Sequence, residues 1–194
     1  GEKQIEIDRR LLKSKLEDLQ RELKEVASHR KLLRAQRKRN DIPVFAICGY
    51  TNAGKSTLMN ALTDAEVLVE DKLFATLDTT TRKFFLLSQK KPILLTDTVG
   101  FIRKLPHQLV MAFKSTLEEA IYADVILHVI DASHPQAVEH AETTLKVLEE
   151  LHLGNQPVIT IFNKMDLVEK EDASLETKAA YQKLRMTYSR AVHV

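Results

Sequence analysis

With 194 residues, 44% of them apolar and only 5 Gly and 5 Pro, the chain is long enough for one ordinary domain plus an attachment. It carries no low-complexity tract, so most of it is expected to fold. A single cysteine excludes an internal disulfide and a zinc-type cysteine pair. No apolar run reaches the roughly 20 residues of a membrane-spanning helix. The polar N-terminus does not read as a signal peptide, so a cytoplasmic protein without stable membrane association is expected. The formal net charge of +2 is unevenly spread: residues 8–39 hold 12 Lys/Arg against 5 Asp/Glu, and residues 40–194 hold 16 against 20. A basic segment joined to a mildly acidic remainder fits a polyanionic partner and a solvated helical face equally well.

The first predicted element is a helical arm over residues 1–40. Leu12, Leu16, Leu19, Leu23, Val26 and Leu33 follow alternating steps of four and three, interrupted where Arg30 stands in an apolar place. That spacing predicts one apolar seam with coiled-coil character, and a lone helix cannot bury it. The arm ends in "RKLLRAQRKRN", the densest basic patch, whose arginines suit a phosphate backbone without reading sequence. Asn40-Asp41-Ile42-Pro43 marks the hinge into a second domain, 41–194.

In that domain strands and helices alternate. Strands are predicted at 43–48, 82–88, 92–96, 124–130, 157–162 and 191–194, and helices near 55–63, 107–121, 136–151 and 174–187. Runs such as "VILHVI" and "PVITIF" predict buried strands in a mostly parallel sheet flanked by helices, with 82–96 forming one antiparallel hairpin. The active loops of such an α/β fold lie at the carboxyl ends of its strands.

The first of those ends carries "GYTNAGKST". Gly49, Gly54, Lys55 and Ser56 fit G-x-x-x-x-G-K-[ST], a phosphate loop. Inward backbone N–H groups and an open helix N-terminus supply the donors that phosphates require. Gly49, Tyr50, Thr51, Asn52, Ala53, Gly54, Lys55, Ser56 and Thr57 are therefore candidate nucleotide contacts. Lys55 suits the β and γ phosphates, and the Ser56 hydroxyl suits Mg²⁺.

The next end carries "DTVG", Asp97, Thr98, Val99 and Gly100. Asp97 is placed to act on Mg²⁺ through a bound water, and the Gly100 N–H to follow the γ-phosphate. A third end carries "NKMD", Asn163, Lys164, Met165 and Asp166. A buried Asp166 carboxylate accepts two hydrogen bonds from guanine and is left unmatched by adenine. Asn163 suits either the base or the phosphate loop, and the Lys164 stem can lie across the base.

These motifs, with "EIDRRLL" and "LFATLDTTTR", make the chain resemble the HflX family of translation-factor-related GTPases, near the Obg group. The resemblance spans nearly the whole chain, and "GYTNAGKSTLMNAL" and "DTVGFIRKLPHQLV" are its most specific parts. It implies a P-loop GTPase domain that turns GTP into GDP with Mg²⁺. It also implies binding to the large ribosomal subunit and ribosomal RNA, and a part in splitting or rescuing ribosomes. A monomer is expected. Phe74, Ala75, Thr76, Leu77 and Asp78 match the family's first switch, which makes Thr76 the preferred Mg²⁺ ligand beside Ser56 and Asp97, with Thr80 in reserve. Lys55, Thr76, Gly100 and Asn52 are then the candidates for hydrolysis. Asn52 occupies the place where related GTPases hold K⁺, although the turn's own geometry accounts for an asparagine equally well.

Two departures accompany the resemblance. Phe101 stands where many GTPases carry a water-orienting glutamine, so intrinsic turnover is expected to be slow. The chain also ends at Val194, before the family's final guanine-supporting loop. Weakened nucleotide affinity and a disordered edge at 191–194 are expected. Two other readings share the motifs in part. A switch acting on structured or transfer RNA suits the basic arm equally, and a small-molecule kinase shares the GKS triplet but leaves NKMD unexplained.

Overall fold

The structure is a computed structural model that describes residues 10–15, 17–19, 21–22, 24–25, 28, 32, 35, 42–63, 80–86, 91–98, 100, 121–150 and 156–194. The chain divides into two compact units, Gly1–Ile42 and Pro43–Val194. The described residues of the first unit before Ile42 are helical. Leu12 and Leu19, on the predicted seam, are exposed, as are Leu11 and Leu32 beside it. Arg21 and Asp18 form an exposed ion pair at 2.9 Å, three residues apart on the helix. Leu16, Leu23, Val26 and Leu33 of the seam lie outside the described residues, as do Arg30 and the arginines after it.

The second unit is built on a six-stranded sheet in the order β2-β3-β1-β4-β5-β6. Its strands are β1 (Val44–Gly49), β2 (Thr80–Leu86), β3 (Lys91–Asp97), β4 (Val125–Asp131), β5 (Val158–Asn163) and β6 (Val192–His193). β2 and β3 form the antiparallel hairpin, and every other pairing is parallel. The helices are α1 (Lys55–Thr63), α2 (Ala137–Glu150), α3 (Met165–Val168) and α4 (Leu175–Thr187). Among the described residues, no helix is long and apolar enough to cross a membrane.

β1 lies centrally, which explains its unbroken apolar run. Ile47 faces Leu58 and Met59 of α1 on one side of the sheet, while Ala46 and Cys48 join Leu148 of α2 on the other. Each large apolar side chain buried here, such as Ile47 or Met59, stabilises the fold by about 1.5–3 kcal/mol. Burial pushes the Cys48 thiol up to about 11, so it behaves as a small apolar group.

Three details differ from the sequence reading. β2 starts at Thr80, because its β-branched threonines continue the ladder opposite β3, with Thr80 facing Asp97 and Thr81 facing Thr96. The short helix α3 within NKMD was not foreseen. The 191–194 edge is ordered: Val192 pairs with Ile161, Val194 N–H donates to the Phe162 carbonyl at 2.9 Å, and the His193 ring stacks on Phe162. Of the helix predicted at 107–121, all but its last residue lies outside the described residues.

Candidate functional site

Parallel strands that end level with one another bring their terminal residues together. β1 ends at Gly49, β3 at Asp97, β4 at Asp131 and β5 at Asn163, and the three motifs meet there.

The phosphate loop leaves β1 at Gly49, where a Cβ would collide with the Val129 carbonyl oxygen. Asn52 (φ 60°) and Gly54 (φ 87°) both take the left-handed conformation, which curls the chain back over its own amides. The Tyr50 carbonyl closes this turn. It accepts from the Ala53 N–H at 3.2 Å and from Lys55 Nζ at 3.1 Å. Lys55 is buried, and burial pushes its pKa down, while Asp97 works in the opposite direction. α1 then begins with the Leu58 N–H donating to the Gly54 carbonyl, so the earlier amides of the turn point at the loop's interior.

DTVG lies against this loop. Ser56 Oγ donates to Asp97 Oδ2 at 2.7 Å. Asp97 is buried, so a hydroxyl and a carboxylate oxygen lie side by side, a donor pair suited to a small hard cation. Thr98 fixes the turn by donating from Oγ1 to the Ile47 carbonyl at 2.8 Å. Gly100 closes on the loop so tightly that a Cβ there would stand 2.7 Å from Thr51 Cα and 3.0 Å from Lys55 Nζ.

NKMD reaches the loop from the other side. Asn163 Nδ2 donates to the Ala53 carbonyl at 2.9 Å. Lys164 takes a left-handed conformation (φ 62°) as it opens α3, and its Nζ pairs with Asp131 Oδ2 at 2.8 Å. Asp131 is held in turn by the Ser133 N–H and hydroxyl, which donate to Oδ1 at 3.0 and 2.6 Å. Met165 packs into the core. Asp166 is exposed rather than buried, because the first turn of α3 sends Met165 inward and its neighbour toward solvent.

Thus Gly49, Tyr50, Thr51, Asn52, Ala53, Gly54, Lys55, Ser56 and Thr57 form one continuous loop and helix start, which Asp97, Gly100 and Asn163 touch. Phe74, Ala75, Thr76, Leu77 and Asp78 lie outside the described residues, as do Val99 and Phe101. Thr80 stands opposite Asp97 in the ladder. Asp131 and Ser133 escaped the sequence reading. Their only signal was an acid closing an apolar strand, "VILHVIDAS", at a position the β4–β5 register sets beside Asn163.

A family model described as "50S ribosome-binding GTPase" matches residues 44–164. The chain is similar to a GTPase HflX of Akkermansia muciniphila, 56% identical over 178 residues that make up 91% of this chain and 40% of that protein. A GTPase HflX of Escherichia coli is 46% identical over 169 residues, 87% of this chain and 39% of that protein. The chain therefore spans about 40% of the length of these relatives. Among solved structures, a GTP-binding protein of Sulfolobus solfataricus in complex with GDP is 31% identical with a TM-score of 0.55, over 85% of this chain and 50% of that one. Aquifex aeolicus Era bound to GDP and AlF4⁻ is 27% identical with a TM-score of 0.55, over 79% and 50%.

Proposed function

Because the chain belongs to the HflX family of P-loop GTPases, we propose that it binds Mg²⁺ with GTP, hydrolyses the γ-phosphate and engages the large ribosomal subunit. The observation that carries this reading is the convergence of three sequence-distant motifs on one loop, through Ser56–Asp97 at 2.7 Å and Asn163–Ala53 at 2.9 Å.

In this reading the loop amides and Lys55 bind and orient the β and γ phosphates. Ser56, Thr76 and Asp97 (the last through a water) would hold Mg²⁺, and a bound ion would supply neutralisation of charge developing on the phosphoryl oxygens. The Gly100 N–H follows the γ-phosphate, and Asp97 links its position to the metal site. Asp166 accepts from guanine, Lys164 covers the base, and Asn163 ties the base site to the phosphate loop. Asn52 is the candidate ligand for K⁺. Phe101 offers no hydrogen bond to the attacking water, which favours slow turnover until a partner aligns it.

The helical arm, residues 1–40, carries the basic end that suits ribosomal RNA, and 41–194 form the nucleotide domain. Ribosome splitting or rescue then follows as the work of the GTP cycle in the cytoplasm. Co-sedimentation with purified large subunits tests this. Retention should be stronger with a nonhydrolysable GTP analogue than with GDP, and weaker when Arg34, Arg37 and Arg39 are changed to Ala. Equal retention in both nucleotide states, or full competition by a free structured RNA, would turn the reading toward an RNA-directed switch.

A further inference from the structure

The phosphate loop also has a rear surface. Tyr50 to Ala53 form one wall of a cavity of about 200 Å³, faced by His128 of β4 and by Thr144 of α2. The cavity is partly open to solvent and lies between the loop and Ala141 and Thr144 of α2.

A pair of rings joins the two elements beside this cavity. The Tyr50 ring stacks on the His140 ring of α2, with centroids 3.7 Å apart and planes within 3°. His140 is braced in turn. His134 leans on it at 4.4 Å, and His134 Nδ1 accepts from the Gln136 N–H at 3.0 Å, which fastens that ring to the turn before α2. On the loop side, the residue carrying the stacked ring is the one whose carbonyl accepts from Lys55 Nζ and from the Ala53 N–H. The stacked ring and the seat of the lysine therefore belong to one residue.

We propose that His140 is a positioning residue for the phosphate site: its stack on Tyr50 fixes the Tyr50 carbonyl, and through it Lys55, so that α2 acts as a lever on the loop. The inference rests on the phosphate-binding reading of that loop. An aromatic pair of this kind is worth about two- to tenfold in an equilibrium constant. A deeper loss would point to unfolding instead.

The test is a double-mutant cycle on the full chain, with GDP affinity read by calorimetry and folding by circular dichroism. His140→Ala should weaken GDP binding about two- to tenfold with the fold intact. His140→Phe, which keeps a ring, should restore most of it. Adding His140→Ala to Tyr50→Ala should cost nothing further. Unchanged affinity in His140→Ala, failure of His140→Phe to restore it, or additive losses would overturn the proposal. If the wild-type chain binds no GDP, the phosphate reading falls and this inference with it. If it binds and the losses add, this inference falls alone.

Discussion

Asn163 Nδ2 donates to the Ala53 carbonyl at 2.9 Å, joining residues 110 positions apart. The same amide stands where a Cβ on Gly54 would land, and Gly54 holds φ 87°. The NKMD turn and the glycine-bounded loop are thus one mechanical unit.

Breaking this unit should weaken nucleotide binding in a set order. Asn163→Ala removes one hydrogen bond, about 1 kcal/mol or roughly fivefold in affinity. Gly54→Ala should cost more, since a left-handed non-glycine adds about 1–2 kcal/mol before the collision with Asn163 is counted. GDP titration calorimetry on the folded variants checks the order. Wild-type affinity in Gly54→Ala would contradict it.

Base selectivity should reside in Asp166. Its exposure leaves the carboxylate open to a ligand, so the penalty for a mismatched base arises only when a bound ring covers it. An unmatched carboxylate costs about 1–3 kcal/mol, which predicts ADP binding weaker than GDP binding by roughly fivefold to 150-fold. Asp166→Asn should narrow that gap while phosphate contacts persist. Equal ADP and GDP affinities in the wild-type chain would remove the assignment.

Asn52 has a geometric role as well as a proposed chemical one. Its φ of 60° is a conformation that asparagine tolerates better than most residues. Asn52→Gly keeps the backbone and deletes the amide oxygen. If that oxygen binds K⁺, GTP turnover should be faster in K⁺ than in Na⁺ at matched ionic strength, and the difference should vanish in Asn52→Gly. Identical rates in both salts, alone and with large subunits, would leave only the turn geometry.

His128 predicts how stability depends on pH. It is fully buried in β4, neither ring nitrogen has a hydrogen-bond partner among the described residues, and burial lowers its pKa from 6.5 to about 4. The unfolded chain therefore binds the extra proton more readily. Stability from this group is complete above about pH 6.5 and is lost as pH falls toward 4, by up to about 3 kcal/mol. Urea melts from pH 7 to 4 should show a shallower decline in His128→Leu than in the wild type. Parallel declines would show that His128 does not contribute.

The three motifs were legible because each follows an apolar run, and such runs mark buried parallel strands whose carboxyl ends must cluster. "VFAICG", "ILLTD" and "VITIFN" therefore placed Gly49, Asp97 and Asn163 in one neighbourhood. Contacts set by register and packing were not legible. Asp131 becomes the partner of Lys164 only because β4 and β5 align it with Asn163. His140 meets Tyr50 only because α2 crosses the sheet beside the loop. His128 was hidden inside an apolar strand, and Thr80 read as loop because a run of threonines suits a switch and a strand alike.

Phosphate release from GTP, measured at subsaturating GTP with Mg²⁺, tests the central claim most directly. The wild-type chain should turn over slowly. Folded Lys55→Ala and Ser56→Ala should lose about a hundredfold or more, as expected when a group aimed at developing phosphoryl charge is removed. A folded Lys55→Ala chain that releases phosphate at the wild-type rate would contradict the account.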